Sequence, residues 1–256
     1  MGDFYRRTPA WRLPEITADG LKGFACVTMA LSTAGIAVVE KGLLKIDQYT
    51  QEQFSQLLAE DSRAMFQAGV GSVLQLLGGL AVPIFAFLLV EGFMHTSDYR
   101  RYLASILVFA LVSEVPYDLA VYQKTWDLRG QNALFSLAVS LLMLYFLRMV
   151  EEKRGIGGIL ARLLVVFCAV AWVAFLRAGY GLCLVLLAAI FYLFRESSGW
   201  KMALGIVVSL LYVTGPLAFY GIWCYDGERK DRIPKYVYYA FYPLHLLVLA
   251  GVGMAV

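Results

Sequence analysis

The chain has 256 residues, 60% of them hydrophobic and 16% charged, with a formal net charge of +3 and a mean hydropathy of +0.67. Soluble domains carry roughly 25% charged residues, so this composition excludes that class and implies a membrane protein in contact with lipid. The positive charge is modest and spread over several loops without a basic tract, which excludes a nucleic-acid partner.

Residues 1–20 read as a polar N-terminal arm whose two prolines and missing apolar core do not fit a cleavable signal peptide. Arg6-Arg7 lack the flanks of a twin-arginine signal. Gly2 lacks the Ser or Thr at position six that myristoylation requires.

Apolar runs long enough to cross about 30 Å of hydrocarbon as helix predict about eight spans, near 21–40, 70–93, 102–120, 132–150, 159–177, 179–195, 202–223 and 236–255. They are continuous rather than alternating, which disfavours a β-barrel. The expected fold class is an all-α, polytopic transmembrane helical bundle, with residues 21–256 forming one domain. The fifth and sixth spans are separated only by Arg177-Ala178-Gly179, as one broken helix or a tight hairpin. Between the first two spans, Tyr49, Phe54, Leu57, Leu58 and Met65 mark one helical stripe. This pattern fits an amphipathic helix on the membrane or capping the bundle, and equally a solvated loop helix.

With eight spans and an inside N-terminus, inside segments carry 12 of the 22 Lys and Arg residues. That slight excess favours a cytoplasmic N-terminus in the cell membrane. Cys26, Cys168, Cys183 and Cys224 lie in or beside apolar runs without metal or redox spacing and read as reduced packing residues. No metal site is expected.

Ionisable residues inside spans are costly and mark functional sites. Glu91 and His95 are four apart, so a carboxylate can orient an imidazole that acts as general base. The competing reading is a polar helix end followed by an N-cap. Glu114 and Asp118 are also four apart around Pro116, so a kinked helix presents two acids on one face. Alternatively, Asp118 is an interfacial end and Glu114 pairs with Arg100 or Arg101. Glu91, His95, Glu114 and Asp118 are expected to converge between the second and third spans. His245, one of two histidines, is read chiefly as a hydrogen-bonded helix residue and secondarily as a base. Asn132 has the position of a helix cap. No serine-hydrolase elbow or phosphate-binding glycine loop is present.

The string from Pro83 to Ala120, PIFAFLLVEGFMHTSDYRRYLASILVFALVSEVPYDLA, resembles the TraX family of integral membrane proteins. Asn132 to Leu137, Tyr225 to Arg229, Lys235-Tyr236 and Ala240 to Leu246 continue the resemblance in order. It implies acetyl transfer from acetyl-CoA to an amine or hydroxyl of a pilin-like peptide or glycan. On this reading His95 or His245 is the base, Glu91 or Glu114 orients it, Arg100 and Arg101 meet the donor's phosphate, and Asp118 and Asn132 are further catalytic and substrate-binding residues. The chain departs from the family pattern at Ser32-Thr33, where an Asp-His pair is usual, and at Gly79, where an arginine is common. These departures point to a second reading, a non-catalytic scaffold that binds a lipid, peptide or partner.

Overall fold

The computed structural model describes residues 15–227 and 233–256. The first fourteen residues of the N-terminal arm, and Glu228 and Arg229 of the resemblance, lie outside the described residues. Among the described residues there is no β-strand, and two isolated backbone bridges stand in its place.

Helix α1 (Ala18–Ala34) starts where Thr17 Oγ1 accepts from the Gly20 amide at 3.2 Å, an N-cap, and continues as a π-helix through Gly35–Leu43. A short amphipathic helix, α2 (Gln51–Glu60), follows behind a Thr50/Gln53 capping box. Its Phe54, Leu57 and Leu58 pack on Val39, Leu44 and Ala64, so it caps one face of the bundle. Met65 lies beyond the cap at Asp61, in the next helix, and is exposed.

Helices α3 (Ser62–Gly78) and α4 (Ala81–His95) form one crossing of 34 residues with a break at Gly79-Leu80. Pro83 explains the break, because it has no N–H for the Gly79 carbonyl and its ring crowds that position. Helix α5 (Tyr99–Tyr122) continues through Pro116 and ends at Gln123 in a left-handed conformation. The chain then dips back into the bundle before α6 (Ala133–Met149). Helices α7 (Gly155–Leu176) and α8 (Gly181–Leu193) make the tight hairpin that the short Arg177-Ala178-Gly179 connection allows. Helix α8 is apolar all round and buried against α4, α6, α7 and α9, whereas α7 presents most of its surface outward, as a lipid-facing helix must.

The segment expected to cross at 202–223 does not cross. It consists of two short helices, α9 (Ser198–Ser209) and α10 (Ala218–Trp223), folded against each other where Gly205 meets the Phe219 ring. At the tip, Thr214 Oγ1 donates to the Leu76 carbonyl beside the α3/α4 break. The chain emerges where it entered, because Ile16 N–H donates to the Cys224 carbonyl at 2.9 Å and Asp226 N–H to that of Ile16 at 3.2 Å. Irregular backbone at membrane depth is tolerated here because it is enclosed by helices.

The last helix, α11 (Lys235–Ala255), runs parallel to α1. Its first turn is tied by the Tyr238 hydroxyl to Asp19, and its end lies on the π-helical segment, where Gly42 and Gly253 bring backbones together. Lipid is as apolar as leucine, so such close approaches of small residues, rather than hydrophobic burial, favour helix association. Among the described residues five helices are long and apolar enough to cross a membrane, and the shorter apolar helices α6 and α8 run alongside them with one re-entrant pair, a multi-pass arrangement whose N- and C-terminal helix ends lie on opposite faces.

Candidate functional site

Helices α1, α4, α5, α6, α8 and α11 enclose a cavity of about 510 Å3. Its mouth lies at the face where α1 begins and carries Lys22, His95, Asp98 and Arg101. Its shaft is apolar, with Met29, Phe85 and Leu88 among the lining residues, and the residues at its inner end include Ala133, Tyr180 and Tyr242. The mouth is built by the α4–α5 connection. Asp98 Oδ1 accepts from the Arg101 amide at 3.0 Å and caps α5, whose first turn brings Arg101 to the rim. Gly92 leaves room for the Tyr102 hydroxyl, since a Cβ there would stand 2.9 Å from it. His95 Nδ1 lies 2.8 Å from the Glu91 carbonyl and 3.9 Å from Glu91 Oε2, so the imidazole is held by the residue one turn before it.

Deeper, α5 presents Glu114 and Asp118 on its inner face. Glu114 Oε2 accepts from Asn132 Nδ2 at 2.5 Å and from the Asn132 amide at 3.3 Å. Asn132 Nδ2 also donates to the Ala110 carbonyl at 2.8 Å, while Asn132 Oδ1 accepts from Leu134 N–H and caps α6. Asp118 Oδ2 accepts from the Asp127 amide at 2.9 Å. Asp127 itself is bound by the Arg129 side chain and amide, which hold its carboxyl at about 2. Tyr242, buried on α11 and lining the cavity beside Ala133, lies within electrostatic range of Glu114. Glu114 and Asn132 therefore stand one side-chain layer below the inner end of the cavity.

The expected convergence of Glu91, His95, Glu114 and Asp118 is not found. Glu114 is fifteen residues along α5 from Tyr99, roughly 22 Å as helix, while His95 stays at the mouth. The structure makes two groups instead: His95 and Arg101 at the mouth with Glu91 behind, and Glu114, Asp118 and Asn132 below the cavity. Neither Arg100 nor Arg101 pairs with Glu114, whose partner is Asn132. Arg100 is exposed and does not line the cavity. His245 is buried on α11, stacked on Phe241 with centroids 4.9 Å apart and Nδ1 2.9 Å from the Phe241 carbonyl, and it too is absent from the lining.

Ser32 is buried against Gly78 in the α1–α3 seam, and Thr33 Oγ1 donates to the Met29 carbonyl. The position where the resemblance expects an Asp-His pair is thus occupied by helix packing. Lys22, Tyr180 and Tyr242 were missed. Tyr238, Tyr239 and Tyr242 share one face of α11 at helical spacing, a legible signal, whereas Tyr180 lies in a turn that sequence pattern does not orient.

The TraX protein family matches residues 18–253, over nine-tenths of the chain. The chain belongs to the TraX family. It is also similar to a probable fimbrial assembly protein FimC, serogroup H1, of Dichelobacter nodosus, at 26% identity over 216 residues, covering 71% of this chain and 83% of that protein. No solved structure matches the chain. The family match spans both groups of site residues and the re-entrant pair, so all of them belong to the TraX domain.

Proposed function

We propose that this TraX-family chain is an acyltransferase of the cell membrane, moving an acetyl group from acetyl-CoA to an amine or hydroxyl of a peptide or glycan acceptor. The observation that carries this reading is a cavity with cations at its mouth, an apolar shaft, and a buried carboxyl just beyond its inner end. Its volume lies within the roughly 300–1,000 Å3 of ligand cavities. Lys22 and Arg101 suit the donor's phosphates, and the shaft suits its long thioester-bearing arm, with the nucleotide left outside. His95 sits among the phosphate-binding groups rather than near the acyl end. Glu114 Oε1 is the nearer proton acceptor: the acceptor's N–H or O–H proton passes to it, the new bond forms to the acetyl carbon, and the C–S bond breaks to release the thiolate. The relative named as a fimbrial assembly protein favours a pilin-like peptide as acceptor.

Orientation supports the same reading. Ten described basic residues lie on the mouth's face (Lys22, Arg100, Arg101, Arg148, Lys153, Arg154, Arg162, Arg195, Lys201, Lys235) and six on the other (Lys41, Lys45, Arg63, Lys124, Arg129, Arg177). By the positive-inside rule the mouth is cytoplasmic, the compartment that holds acyl-CoA, and so is the N-terminus.

One observation favours the second reading, a binding scaffold without acyl transfer: Ser32 and Thr33 are spent on packing and absent from the cavity lining. Labelled acetyl-CoA titrated into protein in nanodiscs separates the two. Saturable binding, weakened about tenfold by Arg101→Gln through loss of a charge-assisted hydrogen bond, is the expected result. No binding above that of empty nanodiscs would reject the acyltransferase.

A further inference from the structure

A second cavity, of about 220 Å3, lies on the mouth's face where α6 and α8 end and α7 and α9 begin, and it shares no lining residue with the first. Four of its lining residues are charged: Glu151, Arg162, Arg195 and Glu196. Two of them cancel. The Arg195 guanidinium donates to Glu151 Oε1 and stands over the Tyr192 ring at 4.8 Å, while the Tyr192 hydroxyl donates to Glu151 Oε2 at 2.8 Å. The other two have no such partner. Among the described residues, no carboxylate lies within ion-pair distance of Arg162, and no Lys, Arg or His within that of Glu196.

Arg162 stands roughly 10 Å along α7 from its first residue, and its side chain reaches back toward the membrane face. Its Nη2 donates to the carbonyls of Glu151 at 2.9 Å and Lys153 at 3.5 Å, as a snorkelling arginine does. Carbonyl dipoles hold the guanidinium without cancelling its charge, and its Nε and Nη1 make no hydrogen bond among the described residues. A planar fork of donors beside a cavity at headgroup depth suits a phosphate. Ser197, the N-cap of α9, makes no side-chain cap bond, so its hydroxyl can donate to a phosphate oxygen. Apolar surface continues outward from the same place. Ile159, one turn before Arg162 on the same side of α7, is 57% exposed, and Leu193 in the lining is 38% exposed. Trp200, exposed in the first turn of α9, is of the type that anchors at the membrane interface. A soluble anion makes no use of these side chains, whereas the acyl chains of a lipid cover them.

We propose that this second cavity binds the headgroup of an ethanolamine phospholipid. The phosphodiester sits on Arg162 and Ser197, the ammonium lies beside Glu196, and the acyl chains run outside the cavity along Ile159 and Leu193. Charge decides the lipid class. With Arg195 and Glu151 paired, the lining keeps one uncompensated cation and one uncompensated anion, which a headgroup bearing one of each neutralises and a headgroup with a lone negative charge does not. Bound there, the lipid joins the ends of α6, α7 and α8 to the start of α9. The site is separate from the acyl-donor cavity and stands whether or not the chain transfers acetyl groups.

The test is native mass spectrometry of the full-length protein, delipidated in detergent and titrated with phosphatidylethanolamine, phosphatidylglycerol or diacylglycerol. One saturable phosphatidylethanolamine adduct is expected, with diacylglycerol, which lacks the phosphate, bound at least about tenfold more weakly, as loss of a charge-assisted hydrogen bond requires. Arg162→Gln should weaken the phosphatidylethanolamine adduct by a similar factor. Phosphatidylglycerol should bind less well than phosphatidylethanolamine to wild type, and Glu196→Gln should close that gap. Equal binding of diacylglycerol, an unchanged adduct in folded Arg162→Gln, or a wild type that takes phosphatidylglycerol as well as phosphatidylethanolamine overturns the proposal. So does displacement of the lipid by an equal concentration of soluble glycerophosphoethanolamine, which would make the site one for a free phosphodiester. If Arg162→Gln does not fold, the wild-type order of the three lipids decides. Acetyl-CoA plays no part in the measurement, so failure of this site and failure of the acyltransferase reading are separately visible.

Discussion

Gly78→Ala tests whether the α1–α3 seam is as tight as it looks. The added Cβ would overlap Ser32 Cβ and Oγ, while the next atom, Ser32 Cα, stands at 3.7 Å, an ordinary contact. Overpacking of this kind costs about 2 kcal/mol, more than the helix-propensity gain of up to about 1 kcal/mol from replacing glycine. Ser32→Gly alone loses only about 0.5 kcal/mol of propensity. In that background the alanine meets no side chain, so the double variant should be about as stable as Ser32→Gly. The expected coupling is about 2 kcal/mol, near the upper end for contacting pairs. Equilibrium unfolding in mixed micelles titrated with SDS measures it across the four proteins. A coupling below about 0.5 kcal/mol, the size seen for independent sites, would mean that the helices already separate here, and the argument that packing excludes an Asp-His pair would fail with it.

Two further outcomes follow from the same geometry. Burial pushes the Glu151 carboxyl up, but hydrogen bonds from the Arg195 and Tyr192 side chains and the charges of Arg195 and Arg162 outweigh this and hold it below its ordinary 4.5. A depressed carboxylate contributes stability that is present above its unfolded value and lost as pH falls through the folded one. Unfolding midpoints should therefore drop below about pH 4.5 more steeply in wild type than in Glu151→Gln, and parallel curves would refute the pairing. In a cysteine-free background, single cysteines at Gly20, Gly227 and Lys124 report topology through an impermeant maleimide. Gly20→Cys and Gly227→Cys should label from one side of the membrane and Lys124→Cys from the other. Labelling of position 227 together with 124 would turn the re-entrant pair back into a crossing.

Much of the helix pattern was legible because each long run is uniformly apolar, and the caps at Asp98 and Asn132 stand where short polar side chains precede such runs. The pairing of Glu114 with Asn132 was not legible. It depends on the 123–132 connection folding back to the middle of α5, and periodicity along a helix says nothing about how deep a loop returns. The same limit separated His95 from Glu114. Both belong to continuous helices with suitable local spacing, but Tyr99–Tyr122 carries its acids roughly 22 Å away from the α4 end.

The 202–223 segment shows how hydropathy and topology part company. Its length and composition equal those of a span, because both arms of a re-entrant hairpin are as apolar as a crossing helix. The difference is local: Thr214-Gly215-Pro216 interrupts the run, with Gly215 lying against the Ser209 carbonyl where any side chain would collide. Counted as a crossing, this segment divides the basic residues 12 to 10 between the faces. Folded back, it moves Lys235 to the mouth's side, and the described basic residues divide 10 to 6. Hydropathy says nothing of the face to which such a segment returns; the Ile16–Cys224 hydrogen bond sets it, by tying the end of α10 beside the start of α1.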